Sequence, residues 1–83
     1  YTNEVVYTVS VGKNLLLTSF ITDGASWGIL PYIKYISLVG DNVFISNLRD
    51  YQSPSGFSLP SGCQLLITSA FPTYSWTGIL IDA

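Results

Sequence analysis

The amino-acid sequence carries an internal repeat. Residues 7–20 read YTVSVGKNLLLTSF and residues 57–70 read FSLPSGCQLLITSA, so aromatic, hydroxyl, glycine and leucine positions match along the two segments. A second match follows downstream of each, between SWGIL and SWTGIL. Internal similarity of this kind indicates architecture before any residue-level chemistry is considered. The repeat predicts two copies of one strand–turn–strand unit, with Gly12 and Gly62 in the turns.

Alternation of apolar and polar residues predicts strands throughout the chain, and no long helical period is present. One face of the first strand is expected to carry Val5, Tyr7, Val9 and Val11. Residues 27–30 are expected to form a short strand, residues 32–39 and 43–48 a hairpin, and residues 50–56 a loop. Strands spaced by about eight to twelve residues, with Gly and Pro turns, are typical of sandwiches and barrels. We therefore predict one all-β domain over residues 1–83, a small antiparallel β-sandwich of jelly-roll type.

Two strands carry consecutive apolar residues where a sheet with one solvated face would alternate. These are Leu-Leu-Leu at 15–17 and Leu-Leu-Ile at 65–67. Either such strands are central and covered on both sides, or their second face meets another subunit. We expect the second face to meet another subunit, with Leu16, Trp27 and Leu66 in the interface between copies.

The composition favours association of several copies. A chain of 83 residues has a small core for its surface and commonly depends on disulfides, a metal or oligomerisation. Cys63 is the single cysteine, which excludes a disulfide within the chain and predicts a free structural thiol. Charged residues make up 10% of the chain, against about 25% in a typical domain. We therefore expect a homo-oligomer, the alternative being a monomer whose surface is wetted by serine and threonine.

Residues that the chain lacks argue against several function classes. Without histidine the Ser-His-Asp and Cys-His arrangements cannot be built, so we expect no enzymatic activity, no catalytic residue and no cofactor. Asp41 and Asp50 are interpreted as turn residues; an acid–base pair or, with Asn42, a calcium site are less favoured alternatives. The net charge of -2 argues against nucleic acid, and no apolar run approaches a membrane span of about 20 residues. Low charge, abundant hydroxyls and scarce cysteine favour an extracellular or virion location.

Two clusters in loop-like stretches are candidates for ligand binding: Tyr74, Ser75 and Trp76 in the second copy of the repeat, and Tyr51, Gln52 and Ser53 before it. An indole face can stack on a sugar ring while neighbouring hydroxyls and amides form hydrogen bonds. Thr77, an insertion relative to the first copy, predicts a β-bulge that re-aims side chains there. The alternative for Trp76 is a structural role in the core or at an interface, and for both clusters an ordinary polar loop.

Three segments together resemble a known family: V-x-x-G-K-x-L-x-L-T-S at 9–19, S-G-x-x-L-x-I-T-S at 61–69, and W-T-G-I-L-I-D at 76–82. The pattern is similar to the short C-terminal β domains of bacteriophage tail fibres and to the tips of related bacterial surface fibres. The resemblance implies a homotrimer with strand faces packed around the three-fold axis, Leu16 and Leu66 among them. It also implies that loops near Tyr51 and Tyr74 face outward and bind cell-surface glycans or proteins. No collagen-like or coiled-coil shaft of the kind usual in such fibres is visible.

These observations predict a non-enzymatic oligomeric domain that binds a receptor or mediates adhesion at a virion or cell surface. Several weak sites presented together would raise the total strength of binding. The alternative is a self-assembling structural subunit of a filament, capsid or extracellular matrix, whose ligands are its own copies.

Overall fold

A computed structural model describes residues 2–22, 32–47, 50–69 and 74–83. No helix occurs among them, and they form seven β-strands: β1 (Thr2–Thr8), β2 (Lys13–Thr22), β3 (Tyr32–Ile36), β4 (Asn42–Ser46), β5 (Asp50–Leu59), β6 (Gln64–Ser69) and β7 (Tyr74–Asp82). The strand predicted at 27–30 lies outside the described residues.

The described strands form two antiparallel sheets. One has the order β1-β6-β3-β4 and the other the order β5-β2-β7. The pairing is nested around the β3–β4 hairpin, because β2 pairs with β5 and β1 pairs with β6. The all-β class is therefore confirmed, and the two triple-apolar strands, β2 and β6, each have a neighbour on both sides.

The two strands of each repeat unit do not pair with each other. β1 and β2 lie in different sheets, and so do β5 and β6, so each unit is an arch that crosses from one sheet to the other. Each arch finds its partner in the other copy of the repeat, since β1 pairs with β6 and β5 with β2. Each copy of the repeat therefore forms its strand pairs with the other copy and not within itself.

The turns of the two arches are built alike. Gly12 and Gly62 both have left-handed backbones, with φ of 87° and 79°, which glycine adopts at little steric cost. Backbone hydrogen bonds close the turns at equivalent repeat positions: the Lys13 amide donates to the Ser10 carbonyl at 3.1 Å, and the Cys63 amide donates to the Pro60 carbonyl at 3.3 Å. The prediction that these glycines form turns is confirmed.

A bulge sets the faces of the central strand β2. Regular alternation would place residues 15, 17 and 19 on one face, yet the buried set is Leu15, Leu17 and Phe20. The pairing with both neighbours shifts between Leu17 and Ser19, so the extra residue, Thr18, turns Phe20 inward. The sequence predicts this bulge at Thr77 on β7, whereas the extra residue lies on β2, opposite that position.

One hydrophobic core takes side chains from both sheets. Its fully buried members are Val9, Leu15, Leu17, Phe20, Ile33, Leu59, Leu65 and Ile67. Burying one such side chain contributes about 1.5–3 kcal/mol relative to leaving it in water. Ring contacts join the sheets at two further points, Tyr7 with Trp76 and Tyr35 with Phe57. Cys63 is also buried as a free thiol among the described residues.

Two local predictions are wrong. Val5 and Val11 do not share the buried face of β1, because the pairing with β6 shifts between Val5 and Tyr7 and Val11 projects from the turn, where it is largely exposed. Residues 50–56 are not a loop, because they belong to β5, which runs from Asp50 to Leu59 with an irregular segment around Pro54 and Gly56. The predicted hairpin is confirmed with shorter strands, β3 and β4.

Candidate functional site

The aromatic residues predicted to bind a ligand lie against the core. Phe20 is fully buried at the centre of the second sheet, with Tyr51 on β5 directly opposite it and Trp76 on β7 opposite it on the other side. Tyr74 stacks on Phe20 with ring centroids 5.8 Å apart and an interplanar angle of 29°. All three predicted aromatic residues are partly buried and pack on the core cluster.

Trp76 also connects the two sheets. Its ring lies 5.3 Å from that of Tyr7 on β1, measured between centroids, with the planes tilted by 53°. Adding a Cβ atom to Gly78 would place it 3.2 Å from the indole ring, so the strand backbone fits closely against the ring. The geometry gives Trp76 a packing role, which is the alternative that the sequence left open.

The hydroxyl of Tyr74 is held in its neutral form. Burial raises its pKa above the usual range, and the nearby carboxylate of Glu4 on β1 adds charge repulsion and a hydrogen bond from the phenol. Glu4 belongs to the first sheet and Tyr74 to the second, so the carboxylate that acts on Tyr74 comes from the opposite sheet.

Gln52 and Ser75, two polar members of the predicted clusters, are exposed and lie on the outward side of the second sheet, whereas Ser53 is half-buried in the irregular part of β5. Ser19 on β2 stands between Gln52 on β5 and Thr77 on β7. In the next row, Ile21 stands between Asp50 and Ser75. We call the polar residues of these rows, with the bulge residue, the polar patch: Thr18, Ser19, Asp50, Gln52, Ser75 and Thr77.

Hydrogen bonds organise the polar patch. The Thr77 hydroxyl lies 2.8 Å from the hydroxyls of both Thr18 and Ser19, and Thr18 also donates to the Thr77 carbonyl at 3.1 Å. The Gln52 amide donates to the Asp50 carboxylate at 2.6 Å. The bulge makes this possible because it turns two consecutive hydroxyl side chains to the same side of the sheet. The patch offers donors, acceptors and one carboxylate on an exposed surface.

Sequence reasoning did not assign four members of the polar patch to a ligand-binding cluster. Thr18, Ser19, Asp50 and Thr77 come from three different strands, and only the register brings them together. Two signals point to them in retrospect: the Thr-Ser pair repeated in both copies and the Thr77 insertion. Neither signal shows which face a side chain occupies.

The leucines assigned to an interface are covered to different extents. Leu66 is 4% exposed, although it points away from the main core; its cross-strand neighbours there are Val5 and Lys34. Leu16 is half-buried, and a Cβ atom added to Gly56 would lie 2.9 Å from the Cβ atom of Leu16, so the irregular part of β5 passes over it. Trp27 lies outside the described residues. Within one chain the outward leucines are thus partly or wholly shielded, and their place in an interface stays a prediction.

Exposed apolar side chains collect in two other places. Val11, Leu38 and Val39 project from turns at one end of the domain, where Leu38 touches Gly62 and the Gly62 amide donates to the Val9 carbonyl at 2.9 Å. The second place is the end of β7, with Ile79, Leu80 and Ile81.

Within the described ranges, no group of three or more His, Cys, Asp or Glu side chains could hold a metal ion. The same ranges contain no helix long and apolar enough to cross a membrane. Comparison of the chain with protein-family models, with curated proteins and with solved structures finds no match.

Proposed function

We propose that this chain is a non-enzymatic domain that binds a receptor at a virion or cell surface, with a glycan as the ligand. The observation that carries the proposal is the polar patch. Four of its six members, Asp50, Gln52, Ser75 and Thr77, are exposed, and their hydroxyl, amide and carboxylate groups form the kind of hydrogen bonds that sugar hydroxyls require. Two of its members, Gln52 and Ser75, belong to the clusters in which the sequence predicts binding.

The proposed fold is a β-sandwich of jelly-roll type. Support comes from the nested antiparallel pairing around the β3–β4 hairpin and from the core cluster that both sheets share. In such folds a rigid pair of sheets carries the binding surface, and the surface can vary without loss of the core.

The domain acts as a homo-oligomer in this proposal. The low content of charged residues and the exposed apolar side chains of β7 support association. A small domain that stays monomeric in solution usually has a highly charged surface. The fibre-tip resemblance implies three copies. Each polar patch would contribute a weak contact, and presentation of several at once would raise the total strength of binding.

The test uses glycan arrays and whole cells with the purified chain. Gln52→Ala and Ser75→Ala each remove a hydrogen-bonding group from the polar patch, and we expect binding to fall about tenfold, which corresponds to roughly 1.4 kcal/mol. Ser55→Ala, on an exposed serine of the same strand as Gln52 but outside the patch, is the matched control and should bind normally. Absence of binding by the unmodified chain, or equal binding by all three variants, would overturn the proposal.

A second function, a self-assembling structural subunit, is favoured by the exposed strand β7. An edge that keeps pairing in one direction would give filaments, whereas a closed contact gives discrete particles. Negative-stain imaging of the purified chain separates the two outcomes.

A further inference from the structure

The four edge strands of the described sheets are not equally protected against pairing with other chains. β1 is broken by its register shift, β4 has five residues, and β5 contains Pro54 and loses register in its middle. Shortness, bulges and proline are the usual devices that block edge-to-edge association. β7 has nine residues and no proline, and the bulge beside it belongs to β2. Among the described strands, β7 is therefore the open edge.

The register shows which backbone groups of β7 point away from β2. The Ala83 amide donates to the Gly12 carbonyl at 3.0 Å, and Asp82 lies opposite Lys13. In an antiparallel ladder this places Asp82 and Lys13 in a pair that exchanges no hydrogen bond, and the pattern alternates from there. The amide and carbonyl groups of Gly78, Leu80 and Asp82 consequently point away from β2.

We propose that β7 pairs antiparallel with β7 of a second copy of this chain, about a two-fold axis at Leu80. The amide of each Leu80 would donate to the carbonyl of Leu80 in the other copy. Gly78 of one copy would form the next hydrogen-bonded pair with Asp82 of the other. The inference deepens the self-association in the proposed function and rests on it, and it identifies the strand and the register that join two copies.

In this register the apolar side chains of β7 lie opposite apolar side chains of the second copy. Ile79 and Ile81 lie on the outward face and are 58% and 40% exposed. In the proposed pairing each Ile79 is opposite Ile81 of the second copy, in the closely spaced type of pair where the side chains of the two strands contact each other. Leu80, 45% exposed, would lie beside its own counterpart on the axis.

The charge of β7 is compatible with this register. Asp82, the single charged residue of β7, would face Gly78 of the second copy, so no like charges meet. A two-fold axis at Asp82 would put two carboxylates opposite each other, which is unfavourable. An axis at Gly78 would place Ile79 and Ile81 opposite hydroxyl side chains, with a poorer match. The axis at Leu80 alone among these three combines apolar pairs with separated charges.

The first experiment measures the mass of the unmodified chain by sedimentation equilibrium. We expect an even number of copies, two if β7 forms the only contact and six if it joins trimers. Ile79→Lys combined with Ile81→Lys should halve that mass, because four cations would meet across the axis. Val11→Lys combined with Val39→Lys adds the same charge to exposed apolar residues of the turns and should leave the mass unchanged.

The second experiment tests the register by cross-linking in a Cys63→Ala background. Ile79→Cys and Ile81→Cys proteins are mixed and oxidised; the proposed pairing predicts at least a fivefold excess of the mixed disulfide over either symmetric one. Equal yields of the three products would overturn the register.

The outcomes separate the inference from the proposed function. If the chain has the mass of a monomer at all concentrations, both the inference and the self-association are overturned. Both are also overturned if β7 pairs with an extended peptide of another protein but never with β7 of a second copy. An oligomer whose mass does not change in the Ile79→Lys, Ile81→Lys variant overturns the β7 contact alone and leaves the self-association standing.

Discussion

β5 and β7 flank the same central strand, yet they present different edges to the solvent. The ladder between β5 and β2 jumps from Gln52 opposite Ser19 to Phe57 opposite Leu17, and Pro54 and the left-handed Gly56 lie inside the jump. β7 follows β2 from Tyr74 to Asp82 with the irregularity on the β2 side.

The difference between the two edges indicates which features protect an edge strand against pairing with another chain. Both strands contribute aromatic rings to the same core, so aromatic packing does not distinguish them. β5 is closed because proline donates no hydrogen bond and because its irregular segment turns back over Leu16. β7 has neither feature, and among the described strands its outer edge has no neighbour.

The largest expected effect is on the free energy of unfolding, in a comparison of two leucines that lie opposite Leu15 on either side of β2. Leu59 on β5 is 0% exposed and Leu80 on β7 is 45% exposed. Leu59→Ala should lower the free energy of unfolding by about 2–5 kcal/mol because it leaves a cavity. Leu80→Ala should cost about half as much or less in dilute solution, since part of its side chain is already in water. Urea denaturation measures both, and equal losses in dilute solution would contradict the difference between the edges.

The next effect concerns the irregular segment of β5. Gly56 has φ of +83° and its added Cβ atom would lie 2.9 Å from the Leu16 Cβ atom, whereas Gly40 has φ of +89° and open space around it. Gly40→Ala should cost about 1 kcal/mol for the left-handed backbone. Gly56→Ala should cost about 2–3 kcal/mol, because steric overlap is added to the same backbone strain. Thermal unfolding of the two variants measures the difference, and similar costs would show that β5 does not press on Leu16.

Ring contacts allow a comparison of how each strand is fastened to the opposite sheet. Trp76 of β7 lies 5.3 Å from Tyr7, and Phe57 of β5 lies 6.2 Å from Tyr35, between ring centroids. Double-mutant cycles to leucine should give coupling energies of about 0.5–1.5 kcal/mol, with the closer pair the stronger. A coupling near zero for Tyr7 and Trp76 would argue against the packing role of the indole.

The smallest effect is a pH dependence at the start of β7. Burial, and then the charge and hydrogen bond of Glu4, raise the pKa of Tyr74. Because the folded chain favours the neutral phenol, the contribution of Tyr74 to the free energy of unfolding is fully present below about pH 10, the pKa of a free tyrosine. That contribution is lost as the pH rises through the higher pKa of Tyr74 in the folded chain. Glu4→Gln should lower the pKa of Tyr74 in the folded chain, which NMR titration of the ring can follow. An unchanged or higher pKa in this variant would mean that Glu4 does not act on Tyr74.

The sequence was sufficient to predict features that depend on neighbouring residues. Alternation predicted the all-β class, and glycine in equivalent positions predicted turns at Gly12 and Gly62, both with left-handed backbones. The β3–β4 hairpin followed from a tight turn between two β-branched runs. In each case the chemistry lies within a few residues of the chain.

Pairing between distant strands could not be predicted in the same way. A strand–turn–strand pattern in the sequence is the same for a hairpin and for an arch. The sequence therefore did not show that the strands of one repeat pair with those of the other. The inward direction of Tyr51, Tyr74 and Trp76 depends on register, and a single bulge residue, Thr18, changes the faces of β2. For this reason two clusters predicted as ligand sites divide between the core and the outward polar patch. The ligand-binding and interface assignments stay predictions.

Amide hydrogen exchange at Leu80 tests the open edge of β7 most directly. In dilute solution the amides of Gly78 and Leu80 should exchange fast, while those of Ile79 and Ile81, paired with β2, stay protected. At high concentration Leu80 should become protected as two copies pair. Protection of Leu80 in dilute solution, or exchange that does not change with concentration, would contradict the account.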